Sequence, residues 1–177
     1  GIAAELTWAL DDLFAGEAQW DAELAALDAA LSTVQPFQGR LGENPATLLA
    51  CLDTVEQLEQ RFMRVATFAH LRNAEDGTNP AHQAASARAA ALGARLSTAV
   101  AFVDSEILDL PDGVVERFLA QEPGLAPHQV PLRDLLETKP HRLSPDAEKT
   151  LAELGEVLGS PYLVYNRAKS GDIQFAP

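Results

Sequence analysis

The segment that decides the fold is residues 43–77, "ENPATLLACLDTVEQLEQRFMRVATFAHLRNAEDG". Asn44 is a favoured residue at a helix N-cap, and Pro45 suits the first helical position because no N–H is needed there. Apolar residues then recur at the spacing of one helix face. They are Leu48, Leu52, Val55, Phe62, Val65 and Ala69. The segment predicts one long amphipathic helix ending near Ala74.

A second and a third long helix are predicted on either side of this segment. The upstream one has an apolar stripe and ends in the Pro- and Gly-rich stretch 35–42. Its stripe is Trp20, Leu24, Leu27, Leu31 and Val34. Downstream, Asn79 and Pro80 repeat the cap-plus-proline start, and the stripe is Leu92, Leu96, Val100 and Val103. Three long helices with short connections predict antiparallel neighbours in a bundle.

The pattern changes after Asp104, where residues 105–140 are punctuated by Pro111, Pro123, Pro127 and Pro131 and predict two or three shorter helices. Another helix is predicted from Ser144 to about Leu158, with its leucines facing inward, and Ser160 before Pro161 predicts a new helix start. The inward leucines are Leu151, Leu154 and Leu158. The alternating "DIQF" at 172–175 predicts a short strand without a partner.

These elements together predict an all-α fold: an antiparallel helical bundle of three long helices, several shorter helices, and a short extended C-terminal segment. Strand patterns are nearly absent elsewhere in the sequence, and no repeat of solenoid length occurs.

The net charge of the chain limits the classes of partner that can be expected. The net charge is -13, from 26 acidic and 13 basic residues among 177. Phosphate backbones and anionic membrane surfaces both require clustered Lys and Arg, so neither nucleic acid nor a membrane is an expected partner. The sequence also contains no long apolar run and no basic-then-apolar leader, which predicts a cytoplasmic protein.

Cys51 is the single cysteine, so an internal disulfide and a four-cysteine zinc site are both excluded. It follows two leucines on the long helix, where a buried and unreactive thiol is the favoured interpretation. A nucleophilic Cys51 paired with a distant histidine is the less favoured alternative.

The four histidines do not form a recognised metal motif. They are His70, His82, His128 and His141. No His-Glu-x-x-His and no Glu-x-x-His occurs, although these spacings are the ones that place ligands on one helix face. His70 is predicted to be structural or partly exposed.

Acidic pairs are equally unspecific, and the favoured interpretation is that they lie on solvated faces. These pairs are Asp11 and Asp12, Glu56 and Glu59, and Asp104 and Glu106. From these patterns we expect no catalytic, no cofactor-binding and no metal-binding residue in this chain.

Residues 139–154, "KPHRLSPDAEKTLAEL", look catalytic at first sight because a histidine lies close to several acids. Helix-start chemistry explains them better. Ser144 is the expected N-cap, and Asp146 and Glu148 place negative charge at the positive end of the helix dipole. His141 lies before the cap, and we expect it to hold the entry loop by hydrogen bonds.

Several segments, in this order, resemble oligoendopeptidase F-type zinc peptidases of the thimet-oligopeptidase-like clan. "TWALDDLFAGEAQWDAEL" at 7–24 resembles their Trp-x-Leu-x-Asp-Leu-Phe opening and the Trp-bearing helix after it. "FQGRLGENPATLLACL" at 37–52 resembles the aromatic-x-Gly-x-Leu segment and its helix. "AEDGTNPAHQA" at 74–84 is similar to an Asp-x-x-Asn-x-x-x-Gln turn.

Two later segments continue the resemblance. "FVDSEILDLP" at 102–111 resembles a Phe-x-x-x-Glu-Ile-Leu segment. Residues 139–154 match the Lys/Arg-x-His-x-Leu-Ser-x-x-x-Glu signature at His141, Leu143, Ser144 and Glu148. "DIQFAP" looks like the extended stretch that leads into the next domain.

The resemblance implies that residues 1–171 are the helical N-terminal domain of a bacterial zinc-dependent oligoendopeptidase, and that 172–177 begin the linker into a missing catalytic domain. Such a domain would be inactive alone and would wall a channel that admits short peptides. Zinc, bound by a His-Glu-x-x-His helix, would be a cofactor only of the intact enzyme. The alternatives are a free-standing α-helical interaction module without peptidase activity and, less favoured, a hydrolase that uses Cys51 or a carboxylate pair.

Overall fold

The structure, a computed structural model, describes residues 8–141 and 145–169. The chain divides into two compact units, Gly1–Glu137 and Thr138–Pro177. The predicted strand at 172–175 and the predicted cap Ser144 lie outside the described residues.

Three helices form the frame of the first unit: α1 (Glu17–Ala30), α2 (Pro45–Glu75) and α3 (Pro80–Asp109). A 3₁₀ helix, Leu31–Phe37, continues α1. Every residue of the upstream stripe is buried, and this stripe packs with side chains of α2 and α3 in one apolar cluster. The predicted all-α fold is confirmed.

Both predicted caps start their helices. The Asn44 Oδ1 accepts a hydrogen bond from the Thr47 N–H at 2.9 Å, and the Asn79 Oδ1 accepts one from the Ala81 N–H at 2.9 Å. A proline follows each cap, at a position where a missing N–H leaves no helical hydrogen bond unmade.

The third helix runs five residues past the change of pattern at Asp104, because Ile107 and Leu108 are buried there. It is followed by α4 (Val114–Gln121), a 3₁₀ helix (Pro123–His128) and α5 (Gln129–Thr138). These short helices pack on parts of α2 and α3, and the side chains between them form a second apolar cluster. Its buried members are Leu41, Leu48, Cys51, Val103, Ile107, Val115, Phe118, Leu125 and Leu132.

In the part of the second unit that the structure describes, a short 3₁₀ turn, Lys139–His141, precedes the helix α6 (Pro145–Arg167). The predicted helix start at Ser160 is wrong, because α6 is continuous through Pro161. Proline has no N–H to donate to the carbonyl of Val157. The Ser160 hydroxyl donates to that oxygen instead, at 2.8 Å, so the carbonyl keeps a partner.

The predicted inward orientation of the α6 leucines is also wrong. Leu151, Leu154 and Leu158 are 50%, 44% and 68% exposed. Five further apolar side chains of α6 are exposed, namely Val157, Tyr162, Leu163, Val164 and Tyr165. We call these eight residues the α6 apolar face; they follow one side of the helix as far as Leu158 and extend around it at 162–165. Periodicity identifies such a face but does not say what covers it.

No helix in the described ranges 8–141 and 145–169 has the length and apolar character that crossing a membrane requires.

Candidate functional site

Glu106 connects two of the segments that carry the family resemblance. Its Oε2 accepts a hydrogen bond from the Gly39 N–H at 2.8 Å, and its Oε1 accepts one from the Leu41 N–H at 2.6 Å. Glu106 is half-buried, so its prediction as part of a solvated pair is wrong, whereas Asp104 is exposed. The carboxylate fastens the loop before α2 to the side of α3. Its role is structural, since both oxygens are engaged by backbone donors.

The acidic turn between α2 and α3 is also a structural device. The Asp76 Oδ1 accepts from the Thr78 hydroxyl at 2.6 Å and from the Thr78 N–H at 3.0 Å, and these hydrogen bonds lower the pKa of Asp76. The Gln83 side chain donates to the carbonyl of Gly77 at 2.7 Å. Together with the Asn79 cap, these contacts account for the spacing of the Asp-x-x-Asn-x-x-x-Gln motif.

Phe14 and Trp20 of the opening segment form one aromatic stack with Phe68 of α2. Phe14 meets Phe68 edge-on with 5.5 Å between ring centroids, and Trp20 stacks on Phe68 at 6.2 Å. The Trp20 Nε1–H donates to the carbonyl of Val65 at 2.9 Å. Trp8, by contrast, is 70% exposed. The buried tryptophan therefore joins α1 to α2.

A cavity of about 220 Å³ lies beside Trp20, where α1, α2 and α3 meet. Two arginines line it, and both are already paired: Arg72 with Glu75 at 3.2 Å, and Arg88 with Asp21 at 2.6 Å. His82, which also lines it, is held by the backbone oxygen of Asp76, 3.2 Å from its Nδ1. These paired groups offer neither a free base nor a nucleophile.

Asp53, Glu56 and His128 form the one group of potential metal ligands found among the described residues. One ligand atom from each lies within 4.8 Å of the others. No spacing motif in the sequence identifies this group, because His128 is 72 positions away from Glu56 in the chain. Of the other histidines, His70 and His141 are exposed and His82 is buried.

Cys51 is completely buried, as predicted. Burial raises the pKa of its thiol from 9.0 to about 11, and the nearby charge of Glu106 adds to this. A thiol that holds its proton at neutral pH is a poor nucleophile. This environment disfavours the alternative in which Cys51 is catalytic.

The Cys51 shift predicts a loss of stability at alkaline pH. Between pH 9 and pH 11 the unfolded chain releases the thiol proton while the folded chain keeps it, so the free energy of unfolding falls as pH rises. The expected contribution is about 2 kcal/mol. Urea unfolding of the wild type and of Cys51→Ala, each at pH 8 and pH 11, measures it. The variant should lose less stability across this range, and equal losses in both proteins would contradict the prediction.

Comparisons with known proteins point to one group of peptidases. Residues 106–175 match the family described as oligopeptidase F. The oligopeptidase PepF of Bacillus subtilis is 28% identical over 174 residues, which are 98% of this chain and 26% of PepF. The group B oligopeptidase PepB of Streptococcus agalactiae is 28% identical over 98% of this chain and 29% of its own length. The chain thus spans little more than a quarter of these relatives.

Comparison with solved structures finds similarity to the same group of proteins. The oligoendopeptidase F of Enterococcus faecium superimposes with a TM-score of 0.75 and 25% identity, over 91% of this chain and 32% of that chain. A structure from Chlamydophila abortus gives a TM-score of 0.74 at 22% identity, over 99% of this chain and 30% of that chain. The second likeness shows the fold alone.

Proposed function

This chain is related to the N-terminal domain of oligoendopeptidase F-type peptidases, and from that premise we propose that it is the non-catalytic helical domain of a bacterial zinc-dependent oligoendopeptidase. The observation that carries the proposal is the similarity along 98% of the chain to proteins several times longer. The intact protein would hydrolyse short peptides in the cytoplasm, and this domain would wall the channel that they enter.

The described residues support a structural role. Three contacts within the segments that carry the family resemblance are structural. Glu106 holds the loop before α2, Asp76 closes the turn before α3, and Trp20 packs in the core. The motif residues seen here are thus engaged by their own fold, which suits a domain that supports a catalytic partner.

The zinc of the proposed enzyme does not fit the residues of this chain. Its sequence has no His-Glu-x-x-His, and the Asp53, Glu56 and His128 group joins two helical segments rather than presenting two imidazoles from one helix. No residue here is therefore assigned a part in peptide hydrolysis. The proposed partner is a catalytic domain that carries those ligands.

The α6 apolar face also fits a second candidate function, a free-standing helical interaction module. Eight exposed apolar side chains on one helix are more than scattered surface residues. A partner protein other than a peptidase domain could cover them. The two candidates differ in whether the same reading frame encodes a peptidase.

The test compares the 177-residue chain with the protein encoded by its complete reading frame, using a fluorogenic peptide of about ten residues and a folded protein as substrates. We expect the complete protein to cleave the peptide and spare the folded protein, and the chain alone to cleave neither. Cleavage by the chain alone, or no peptidase activity in the complete protein, would overturn the proposal.

A second arm addresses the α6 apolar face. Leu158→Glu should lower the melting temperature of the complete protein while leaving that of the 177-residue chain unchanged, because the proposed catalytic domain would cover Leu158 only in the complete protein. Val130→Glu, at a residue 66% exposed in the first unit, is the control. Equal effects of Leu158→Glu in both proteins would argue against a covering domain.

A further inference from the structure

We propose that Asp53, Glu56 and His128 form a binding site for a divalent transition-metal ion such as Zn²⁺. The inference goes beyond the proposed function and does not depend on it, because it concerns only residues of this chain.

The geometry begins on α2. Asp53 and Glu56 are three residues apart, which places both carboxylates on the same side of that helix. His128 ends the 3₁₀ helix Pro123–His128, and its Nε2 lies 3.2 Å from the Asp53 Oδ1. The ligands therefore come from two elements that are far apart in sequence. An ion bound there would link α2 to the segment between α4 and α5.

Local packing positions the histidine. A Cβ on Gly124 would lie 2.5 Å from the Leu49 Cδ2, so glycine lets the 3₁₀ helix lie directly against α2. Leu125 is completely buried beside it. The His128 side chain is only 15% exposed, which restricts its freedom, whereas that of Asp53 is 50% exposed and can adjust.

The distances suit a small cation after modest side-chain rotation. Ligand atoms on a tetrahedral zinc ion with bonds of about 2.1 Å are about 3.4 Å apart. The separation between His128 and Asp53 already approaches that value, and the largest separation in the group is within 4.8 Å. Glu56 is exposed, so its longer side chain can close the gap.

The ligand atoms, one imidazole nitrogen and two carboxylate oxygens, indicate which class of metal ion the site would bind. One imidazole with two carboxylates suits Zn²⁺ and its neighbours, whereas Mg²⁺ and Ca²⁺ prefer oxygen ligands alone. The two carboxylates also balance the double positive charge. The Gln60 side-chain amide donates to the Glu56 Oε1 at 2.9 Å, an outer contact of the kind that orients metal ligands. Water would complete the coordination.

The test is calorimetric titration of the 177-residue chain, stripped with EDTA, with Zn²⁺ alone at pH 7.5. We expect one saturable equivalent, not displaced by millimolar Mg²⁺. His128→Ala and Asp53→Asn should each weaken binding at least about tenfold, since even outer contacts of metal ligands are worth ten- to a hundredfold. Asp53→Asn keeps the side-chain shape at an exposed position, and circular dichroism checks that both variants are folded.

The matched control combines His70→Ala with Asp104→Asn, which removes one exposed imidazole and one exposed carboxylate elsewhere. Its zinc affinity should equal that of the wild type. Paramagnetic Ni²⁺ should broaden the imidazole NMR signals of His128 and leave those of His70 sharp. The proposal fails if zinc does not saturate at one equivalent, or if the His128 and Asp53 variants bind as tightly as the wild type. Because no peptide is involved, this failure is separate from failure of the proposed function.

Discussion

Replacing Trp20 by alanine should lower the free energy of unfolding by about 3–5 kcal/mol, the range for removing a large buried aromatic side chain. Trp20 is 2% exposed and packs on Phe68, and its Nε1–H donates to the carbonyl of Val65. The truncation removes packing between α1 and α2 and deletes this hydrogen bond together with its donor. Urea unfolding followed by circular dichroism measures the loss.

Two further variants separate packing from general loss of aromatic surface. Trp20→Phe keeps most of the buried area but not the hydrogen bond, so its cost should be smaller, about 1–2 kcal/mol. Trp8→Ala, at a residue 70% exposed, should stay within about 0.5 kcal/mol of the wild type. A Trp20→Ala protein as stable as Trp8→Ala would show that the stack does not hold α1 in place.

Replacing Glu106 by alanine should cost about 2–3 kcal/mol, because two backbone donors lose a charged acceptor at once. The N–H groups of Gly39 and Leu41 donate to its two carboxylate oxygens, and Leu41 is completely buried. Water can reach the exposed Gly39 in the variant but is excluded around Leu41. We therefore expect the loop at 38–42 to loosen, with faster amide hydrogen exchange at Leu41.

The conservative and neighbouring variants provide the controls for Glu106. Glu106→Gln keeps one acceptor oxygen and should lose less than Glu106→Ala. Asp104→Asn changes an exposed carboxylate two residues away and should have almost no effect on stability or on Leu41 exchange. Equal losses for Asp104→Asn and Glu106→Ala would mean that net charge, rather than the two hydrogen bonds, accounts for the effect.

Local chemistry explains why much of the first unit could be predicted from sequence. The starts of α2 and α3 depend on Asn44 and Asn79, whose side chains cap the nearest backbone N–H groups, and on the prolines that follow. The stripe on α1 predicts its buried face because the large apolar side chains Trp20, Leu24 and Leu27 recur at helical spacing. Each of these features depends on residues close together in sequence, so the tertiary structure changes the prediction little.

Long-range relations could not be predicted in the same way. Glu106 and Asp104 are equivalent in sequence terms, yet only Glu106 meets backbone donors, because α3 passes beside the loop at 38–42. The candidate metal site has the same origin, since His128 reaches Asp53 only when the 3₁₀ helix packs on α2. No spacing rule within one segment contains this information.

The sequence by itself determined the helices of the first unit, their caps, the buried thiol of Cys51 and the family likeness, because each depends on residue type and local periodicity. Only the tertiary structure decided that α6 continues through Pro161, that its apolar face is exposed, and that Asp53, Glu56 and His128 meet. The physical reason is that covering a face or pairing a side chain requires a neighbour from elsewhere in the chain. The periodicity of one segment does not identify that neighbour.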